Sequence, residues 1–310
     1  MKRLINRLIQ LVITLIGVSF LTFCLTYLSP GDPAAMVLEA SDTIVSQEVI
    51  EQTREEMGLN DPFLVQYGNW LLGVVQGDMG ISYSAKKPVM EKLMEGFAGT
   101  VLLALTTIIL IIIISIPLGI FSATHRNRIP DFLVRIFSFI GVSMPSFWVG
   151  LILLYIFGLK LGLVPIATAK VSFSGLILPA LTLAIYQSAK YTRQVRTVIL
   201  DELHQDYVIG ARARGLSEKA ILWKHILPNA ILPLITLLGM SIGWLLGGVA
   251  VIETVFSWPG IGKMAVQAIT MRDYPLIEGI VLWIATAYTV INFLVDLSYS
   301  YLDPRIKKEN

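Results

Sequence analysis

The 310 residues are 55% apolar and only 15% charged, and the net charge is +2. With a mean hydropathy of +0.71, this composition indicates that lipid is the main solvent of the chain, and it excludes an ordinary soluble enzyme. The lone cysteine, Cys24, lies in an apolar stretch, which excludes a disulfide framework and a cysteine-based metal site.

Six apolar segments are long enough to cross a bilayer, since about 20 helical residues span its hydrocarbon core. They cover residues 8–28, 99–123, 132–158, 174–195, 229–252 and 279–301. The fourth contains Gln187, Ser188, Lys190 and Tyr191. We expect its end to leave the membrane early or to face a water-filled cavity. The pattern predicts an all-α integral membrane protein with six transmembrane helices.

Basic residues cluster on one side of this topology. Sixteen of the 24 Lys and Arg residues lie near the N-terminus, near the loops that follow the second and fourth spans, or near the C-terminus. The positive-inside rule then predicts that both termini are cytoplasmic. The first apolar segment is longer than the core of a typical signal peptide, so we expect it to be retained as a span.

Three regions follow from the spans. Residues 1–28 hold the cytoplasmic N-terminal end and the first span. Residues 29–98 form an extracytoplasmic segment, and residues 99–310 form a core with the remaining five spans.

The extracytoplasmic segment is acidic, with 11 acidic and 4 basic residues. Ser46 and Glu48 predict the start of a helix there, and Gly58 followed by Pro62 predicts its end. Two interpretations of the segment stay open. It is either a solvated lid or a surface that meets a substrate or a delivery protein.

One polar stretch of the core stands out, from Asp206 to Pro228, inside a loop of about residues 196–228. Its basic residues are Arg212, Arg214, Lys219 and Lys224. Because it is helix-prone and too polar for the membrane, it predicts a cytoplasmic element that another protein grips.

Three glycines recur every fourth residue in the fifth span: Gly239, Gly243 and Gly247. This spacing predicts a helix face that allows close packing, either within this chain or against a second membrane subunit.

Prolines are expected to interrupt two spans, at Pro117 and at Pro145. The second break lies in Ser143-Met144-Pro145, where freed backbone groups need protein or water as partners. It is interpreted either as part of a translocation path or as a simple kink. Met240 and Glu253 complete the candidate path residues.

No P-loop is recognisable. The Gly262-Lys263 pair fails the pattern, because Ser257 stands where the first glycine belongs and Met264 follows the lysine. The chain is therefore predicted not to be an enzyme, with no catalytic residues. An ATPase, if used, must be a separate polypeptide.

Gly215, followed twelve residues later by Leu227-Pro228, resembles the EAA loop of bacterial ABC-importer permeases. Ile209-Gly210-Ala211 stands in place of Glu-Ala-Ala, which is similar to the dipeptide, oligopeptide and nickel permease branch. Further motifs of this resemblance are Gly31-Asp32-Pro33, Gly80-Ile81-Ser82, Pro117-Leu118-Gly119, Ser143-Met144-Pro145, the run from Glu253 to Gly260, Arg272-Asp273-Tyr274-Pro275 and Asp303-Pro304-Arg305.

The resemblance implies a type I ABC-importer permease fold with a cytoplasmic coupling helix pair, in a bacterial inner membrane. It implies a second permease, two ATPase subunits that bind ATP and Mg²⁺, and an extracytoplasmic solute-binding protein as partners. Lipid surrounds the spans, and no nucleic acid, cofactor or metal site belongs to this chain. The implied ATPase-coupling residues are Asp206, Tyr207, Ala211, Arg212, Ala213, Arg214, Gly215, Leu216, Ser217 and Glu218.

The cargo depends on the branch. The motifs most similar to nickel-import permeases are Gly141-Val142-Ser143-Met144-Pro145, Pro130-Asp131-Phe132 and Gln66-Tyr67-Gly68 with Trp70. We therefore expect half of a path for nickel ion or a metal chelate, with a di- or oligopeptide importer as the alternative. A secondary transporter or channel and a non-transporting membrane scaffold are the alternatives from other classes.

Overall fold

The computed structural model describes residues 2–39, 46–168 and 170–302. Within them, side chains are described except at 2–8, 39, 240, 242–244, 246–248 and 295–302. The α-helices are α1 (Lys2–Tyr27), α2 (Pro33–Glu39), α3 (Gln47–Glu56), α4 (Phe63–Gln76), α5 (Val89–Thr124), α6 (Ile129–Ser143), α7 (Ser146–Leu153), α8 (Phe173–Leu203), α9 (Asp206–Ala213), α10 (Glu218–Ile221), α11 (Leu227–Val255), α12 (Ile261–Thr270) and α13 (Tyr274–Leu302). Two π-helical segments, Leu154–Lys160 and Leu222–Ile226, extend α7 and α10. The all-α class is confirmed.

Among the described residues, four helical segments are long and apolar enough to cross a membrane: Ile9–Tyr27, Val89–Thr124, Glu218–Gly239 and Tyr274–Leu294. A fifth span results if α6 and the helix after it, bent by 100°, are taken together. Among the described residues, helix α8 does not meet this criterion of length and composition. Its polar residues, noted in the sequence, explain why apolar composition alone does not identify it.

The chain divides into two compact units, the first with residues 1–100 and 260–289. In this unit, α4 lies against α1 through aromatic rings. Tyr67 is 5.3 Å from Phe20 and Phe63 is 5.0 Å from Tyr27, measured between ring centroids. The Ser19 and Tyr67 hydroxyls are 2.9 Å apart. These contacts place α4 along the second half of α1.

A buried carboxylate organises another part of the first unit. Asp273, just before α13, is completely buried. It accepts hydrogen bonds from the Ser82 and Ser84 hydroxyls, both at 2.6 Å, and from the Tyr83 backbone N–H at 3.1 Å. The loop at 82–84 is thereby held to the start of α13. Burial, with nearby Glu278 and Asp273, raises the pKa of Tyr83 above its ordinary value.

The helix expected after Ser46 is present as α3, and Gly58 follows it with a φ of +66°. The Ser46 side chain, however, makes no capping hydrogen bond. Its backbone carbonyl instead accepts the N–H groups of Val49 and Ile50. The helix start was therefore located correctly, but the expected side-chain cap is absent.

The second unit contains residues 101–259 and 290–310, and α8 is its central helix. Glycines allow α5 and α6 to approach α8 closely. A Cβ added at Gly141 would lie 2.5 Å from the Ala189 Cβ, and one added at Gly119 would lie 2.6 Å from Val195. Side chains at these two positions have no room without helix displacement.

The two expected proline breaks have different outcomes. Helix α5 continues through Pro117 without interruption, so that expectation was wrong. A membrane helix tolerates proline where neighbouring helices support it, and Gly119 lies against α8 only two residues later. At Met144-Pro145 the helix does break, with an extended backbone at Met144.

Candidate functional site

The helix pair expected between the fourth and fifth spans is formed by α9 and α10. Gly215 lies in the turn between them with a φ of +80°, a left-handed conformation that favours glycine. Its N–H donates to the Arg212 carbonyl at 2.9 Å. Ser217 begins α10 by accepting the Ala220 N–H at 3.3 Å. We call residues 206–226 the coupling element.

Apolar residues anchor the coupling element to the second unit. Val208 and Ala211 on α9 are completely buried, as are Ile221 and Ile226 on the following helical segment. The buried positions 208, 211 and 221 show that one face of each short helix packs inward. The opposite faces remain available.

An ion pair joins the two short helices. The Arg212 Nε lies 2.7 Å from Glu218 Oε1, and its second nitrogen donates to Oε2 at 3.1 Å. This bidentate contact with Glu218 raises the pKa of Arg212. Arg214 donates instead to the Gly210 carbonyl at 3.3 Å. The guanidinium of Arg212 is therefore engaged within the element, which the sequence did not indicate.

Tyr207 links α9 to the end of α8. Its hydroxyl donates to a Glu202 carboxylate oxygen. Partial burial, together with the Glu202 carboxylate, raises the pKa of Tyr207 to about 12. The phenol is therefore neutral at physiological pH and acts as a hydrogen-bond donor.

Large apolar side chains remain exposed on the coupling element. Ile209 is 57% exposed and Trp223 is 60% exposed, and Tyr207 and Leu216 are also exposed. A Cβ added at Gly210 or Gly215 would meet no atom within 4 Å. Exposed apolar side chains on an otherwise polar element are typical of a docking surface. Sequence reasoning missed Ile209 and Trp223, although both are large apolar residues in the most polar stretch of the core.

The candidate path residues on the broken helix lie together at the bend. Ser143 and Pro145 are exposed and Met144 is half-buried. The Ser143 hydroxyl donates to the Phe139 carbonyl at 2.8 Å, so it is engaged with its own helix.

The remaining candidates lie on α11. Glu253 is completely buried in the last turn, and Gly239 is buried. Met240, Gly243 and Gly247 belong to the same helix, but their surroundings lie outside the described residues. The structure thus groups Ser143, Met144 and Pro145 at the bend of the broken helix.

A buried ion pair between α6 and α8 was not anticipated. Asp131 is completely buried, and its two oxygens accept Arg196 Nε at 2.7 Å and a terminal nitrogen at 2.9 Å. The Ser122 hydroxyl and the Asn127 backbone N–H also donate to it. An acid just before the third predicted span and a base just after the fourth were the only signal of this pair in the sequence.

Comparison with known families covers almost the whole chain. Residues 115–308 match the family described as "Binding-protein-dependent transport system inner membrane component". Residues 1–106 match the N-terminal part of membrane components of the same kind of transport system.

Curated relatives span nearly the full length. The chain is 40% identical to the oligopeptide transport system permease protein AppB of Bacillus subtilis (strain 168), over 98% of both chains. It is 37% identical to the dipeptide transport system permease protein DppB of Alkalihalophilus pseudofirmus, over 97% of this chain and 98% of the relative. It is also 37% identical to the glutathione transport system permease protein GsiC of Escherichia coli (strain K12), over 98% of both.

Solved structures share the fold. An inward-facing structure of the MetNI methionine ABC transporter matches with a TM-score of 0.57 at 20% identity, covering 69% of this chain and 97% of that chain. A crystal structure of an amino acid ABC transporter with histidines gives 0.50 at 18% identity, covering 69% and 94%. With both parts of the family present along the chain, the protein belongs to the inner membrane components of binding-protein-dependent transport systems, the multi-pass permease subunits of ABC importers.

Proposed function

We propose that the chain forms one transmembrane half of an ATP-driven importer of short peptides. The observation that carries this proposal is the nature of the full-length relatives, which are named as dipeptide, oligopeptide and glutathione permeases. They match the peptide alternative rather than nickel ion or a metal chelate. The peptide reading therefore replaces nickel as the main proposal.

The motifs that favoured nickel have structural explanations in this chain. Gly141 lies against Ala189, and Asp131 is engaged by Arg196. Tyr67 and Trp70 lie among the rings that join α4 to α1. Residues that position helices carry little information about cargo, because the same scaffold serves different solutes.

In the proposed complex, the partners are a second permease, two ATPase subunits that bind ATP and Mg²⁺, and an extracytoplasmic binding protein. The coupling element faces the cytoplasm and docks on an ATPase through its exposed apolar side chains. Both termini are cytoplasmic, and residues 29–98 are extracytoplasmic. Nucleotide-driven movement of the ATPases displaces the coupling element as a rigid body, since the Arg212–Glu218 pair joins its two short helices and Tyr207 bonds to Glu202 at the end of α8.

Uptake by the purified complex tests the proposal. The transporter is isolated from its native host through a tag on this chain and is reconstituted into liposomes with its binding protein. Labelled tri-alanine, glutathione, free Ni²⁺ and histidine-chelated Ni²⁺ are then compared with and without ATP. We expect ATP-dependent accumulation of peptides only. Accumulation of nickel alone would overturn the cargo, and uptake driven by an ion gradient without ATP would overturn the importer class.

A further inference from the structure

Helix α4 is uncharged, although it belongs to an acidic segment of the chain. From Phe63 to Gln76 it contains no Asp, Glu, Lys or Arg, whereas Asp61 lies just before it and Asp78 just after it. At about 1.5 Å per residue, its 14 residues extend over about 21 Å. The hydrocarbon core of a membrane is about 30 Å thick, so α4 is too short to cross it.

One side of α4 packs against α1 through aromatic rings. Successive residues of a helix are about 100° apart around its axis, so Phe63, Tyr67 and Trp70 lie within about 60° of one another. The rings of α1 that they contact, at centroid distances between 5.0 and 5.7 Å, are Phe20, Phe23 and Tyr27. This side of α4 is therefore occupied by the protein itself.

A second side of α4 is apolar and exposed. Leu64 is 69% exposed and Leu72 is 62% exposed, and Val65 and Val75 are exposed as well. Around the helix axis these four positions fall within an arc of about 100°. The exposed polar side chain of Asn69 lies outside that arc, about 140° from Leu64. The part of α4 that does not contact α1 is thus amphipathic, with an apolar and a polar face.

The contacts with α1 show the depth at which α4 lies. The candidate span of α1 is Ile9–Tyr27, and the three rings that contact α4 belong to its last eight residues, 20–27. Leu21 and Leu25, in the same part of this span, are 63% and 71% exposed, as expected of side chains that face lipid. The apolar face of α4 therefore lies at a depth where α1 itself contacts acyl chains.

We infer that α4 is an interfacial helix whose apolar face, formed by Leu64, Val65, Leu72 and Val75, contacts lipid acyl chains beside the end of α1. Interfacial helices bury an apolar face about 5–10 Å into the boundary between headgroups and acyl chains. In the proposed topology this boundary belongs to the outer leaflet. Residues 63–76 then anchor the extracytoplasmic segment to the membrane, and this role does not depend on the cargo.

Collision rates of a spin label test the inference. In a Cys24→Ser background, a nitroxide is attached at Leu64→Cys or Leu72→Cys, and the transporter complex is placed in nanodiscs of phosphatidylcholine and phosphatidylglycerol. Oxygen dissolves in the bilayer and chromium oxalate stays in water, so electron paramagnetic resonance with each reagent reports what surrounds the label. We expect severalfold more collisions with oxygen than with chromium oxalate at both positions, as at Leu21→Cys on α1. On the polar face, Asn69→Cys should show the opposite preference.

Two results would overturn the inference. A preference for chromium oxalate at Leu64→Cys and Leu72→Cys would place the apolar face in water. Rare collisions with both reagents would show that protein covers the face, and repeating the measurement without the binding protein would tell whether the binding protein or a second permease is responsible. Co-purification of the ATPase subunits shows whether each labelled variant assembles, and if one variant does not, the other decides.

Peptide uptake by the same complex in liposomes is a separate measurement. Lipid contact of α4 without peptide uptake would keep the interfacial helix and remove the proposed cargo. Peptide uptake by a complex whose α4 label collides mainly with chromium oxalate would do the reverse.

Discussion

Asp131 and Arg212 each take part in a bidentate ion pair, but in opposite surroundings. Asp131 is completely buried, whereas Arg212 and Glu218 are both exposed. Removing one partner of a buried pair leaves the other charge without compensation. An exposed pair adds about 0–1 kcal/mol to stability. The first pair is therefore expected to determine stability, and the second the local geometry of the coupling element.

Replacing Asp131 with asparagine should destabilise the second unit by about 3 kcal/mol, because Arg196 then loses its counter-charge inside the fold. Thermal unfolding of the purified protein measures the effect. Arg135→Gln is the matched control, since Arg135 is half-exposed and reaches the same carboxylate only at 3.9 Å. Equal melting temperatures for Asp131→Asn and the wild type would show that the pair has no stabilising role.

Replacing Arg212 with glutamate should uncouple ATP hydrolysis from peptide uptake severalfold, with little change in melting temperature. The reason is that α9 and α10 lose the ion pair that joins them, while the buried apolar residues of both helices stay in place. The double variant Arg212→Glu/Glu218→Arg should recover much of the uptake, because the pair is restored in reverse. No recovery would mean that Arg212 acts through direct contact with a partner.

At the scale of elements, close contacts with α8 organise the second unit. Gly119 and Gly141 both lie where a Cβ would overlap atoms of that helix. Val195 and Ala189, the residues opposite, are themselves completely buried. Neither side can move outward easily in a closely packed interior. The glycines thus set how closely α5 and α6 approach α8.

Gly141→Ala should lower the stability of the protein by about 1–3 kcal/mol through overpacking. Gly17→Ala provides the control, because Gly17 lies on α1 and a Cβ there meets no atom within 4 Å. That substitution should stabilise the helix by up to about 1 kcal/mol. Melting temperatures that move in the same direction for both variants would contradict this account.

At the scale of the whole molecule, the exposed apolar side chains of the coupling element are proposed to contact a partner. Ile209 lies on α9, outside the helical segments that are long and apolar enough to cross a membrane, so without a partner it would remain in water. Four of the candidate coupling residues, Arg212, Gly215, Ser217 and Glu218, shape the element, whereas Ile209 and Trp223 offer it apolar contact area. Contact with an ATPase subunit would bury that area.

Cysteine labelling of the assembled transporter measures this burial. In a Cys24→Ser background, Ile209→Cys should react with a maleimide in the permease pair and become protected when the ATPase subunits are added. Val75→Cys, on α4 and 80% exposed, should react equally in both states. Unchanged reactivity at position 209 on assembly would remove Ile209 from the interface.

Some apolar helices, such as α1, α5 and α13, could be predicted because bilayer thickness sets the length of an apolar helix. Side-chain partners could not, since Asp131 and Arg196 lie 65 residues apart and the register between α6 and α8 depends on packing. Two prolines also behave differently: the helix continues through Pro117, whereas it breaks at Pro145. The coupling turn was predictable because Gly215 takes a conformation that few other residues adopt.

The partnership of Asp131 with Arg196 also has a consequence for biogenesis. At about 5–20 residues per second, the ribosome needs roughly 3–13 seconds to add the 65 residues between them. During that interval the Asp131 carboxylate has Ser122, Asn127 and Arg135 beside it but lacks the Arg196 guanidinium. The bidentate pair is therefore expected to be completed only after α8 has been synthesised, which makes the packing of the two helices a late step of co-translational assembly.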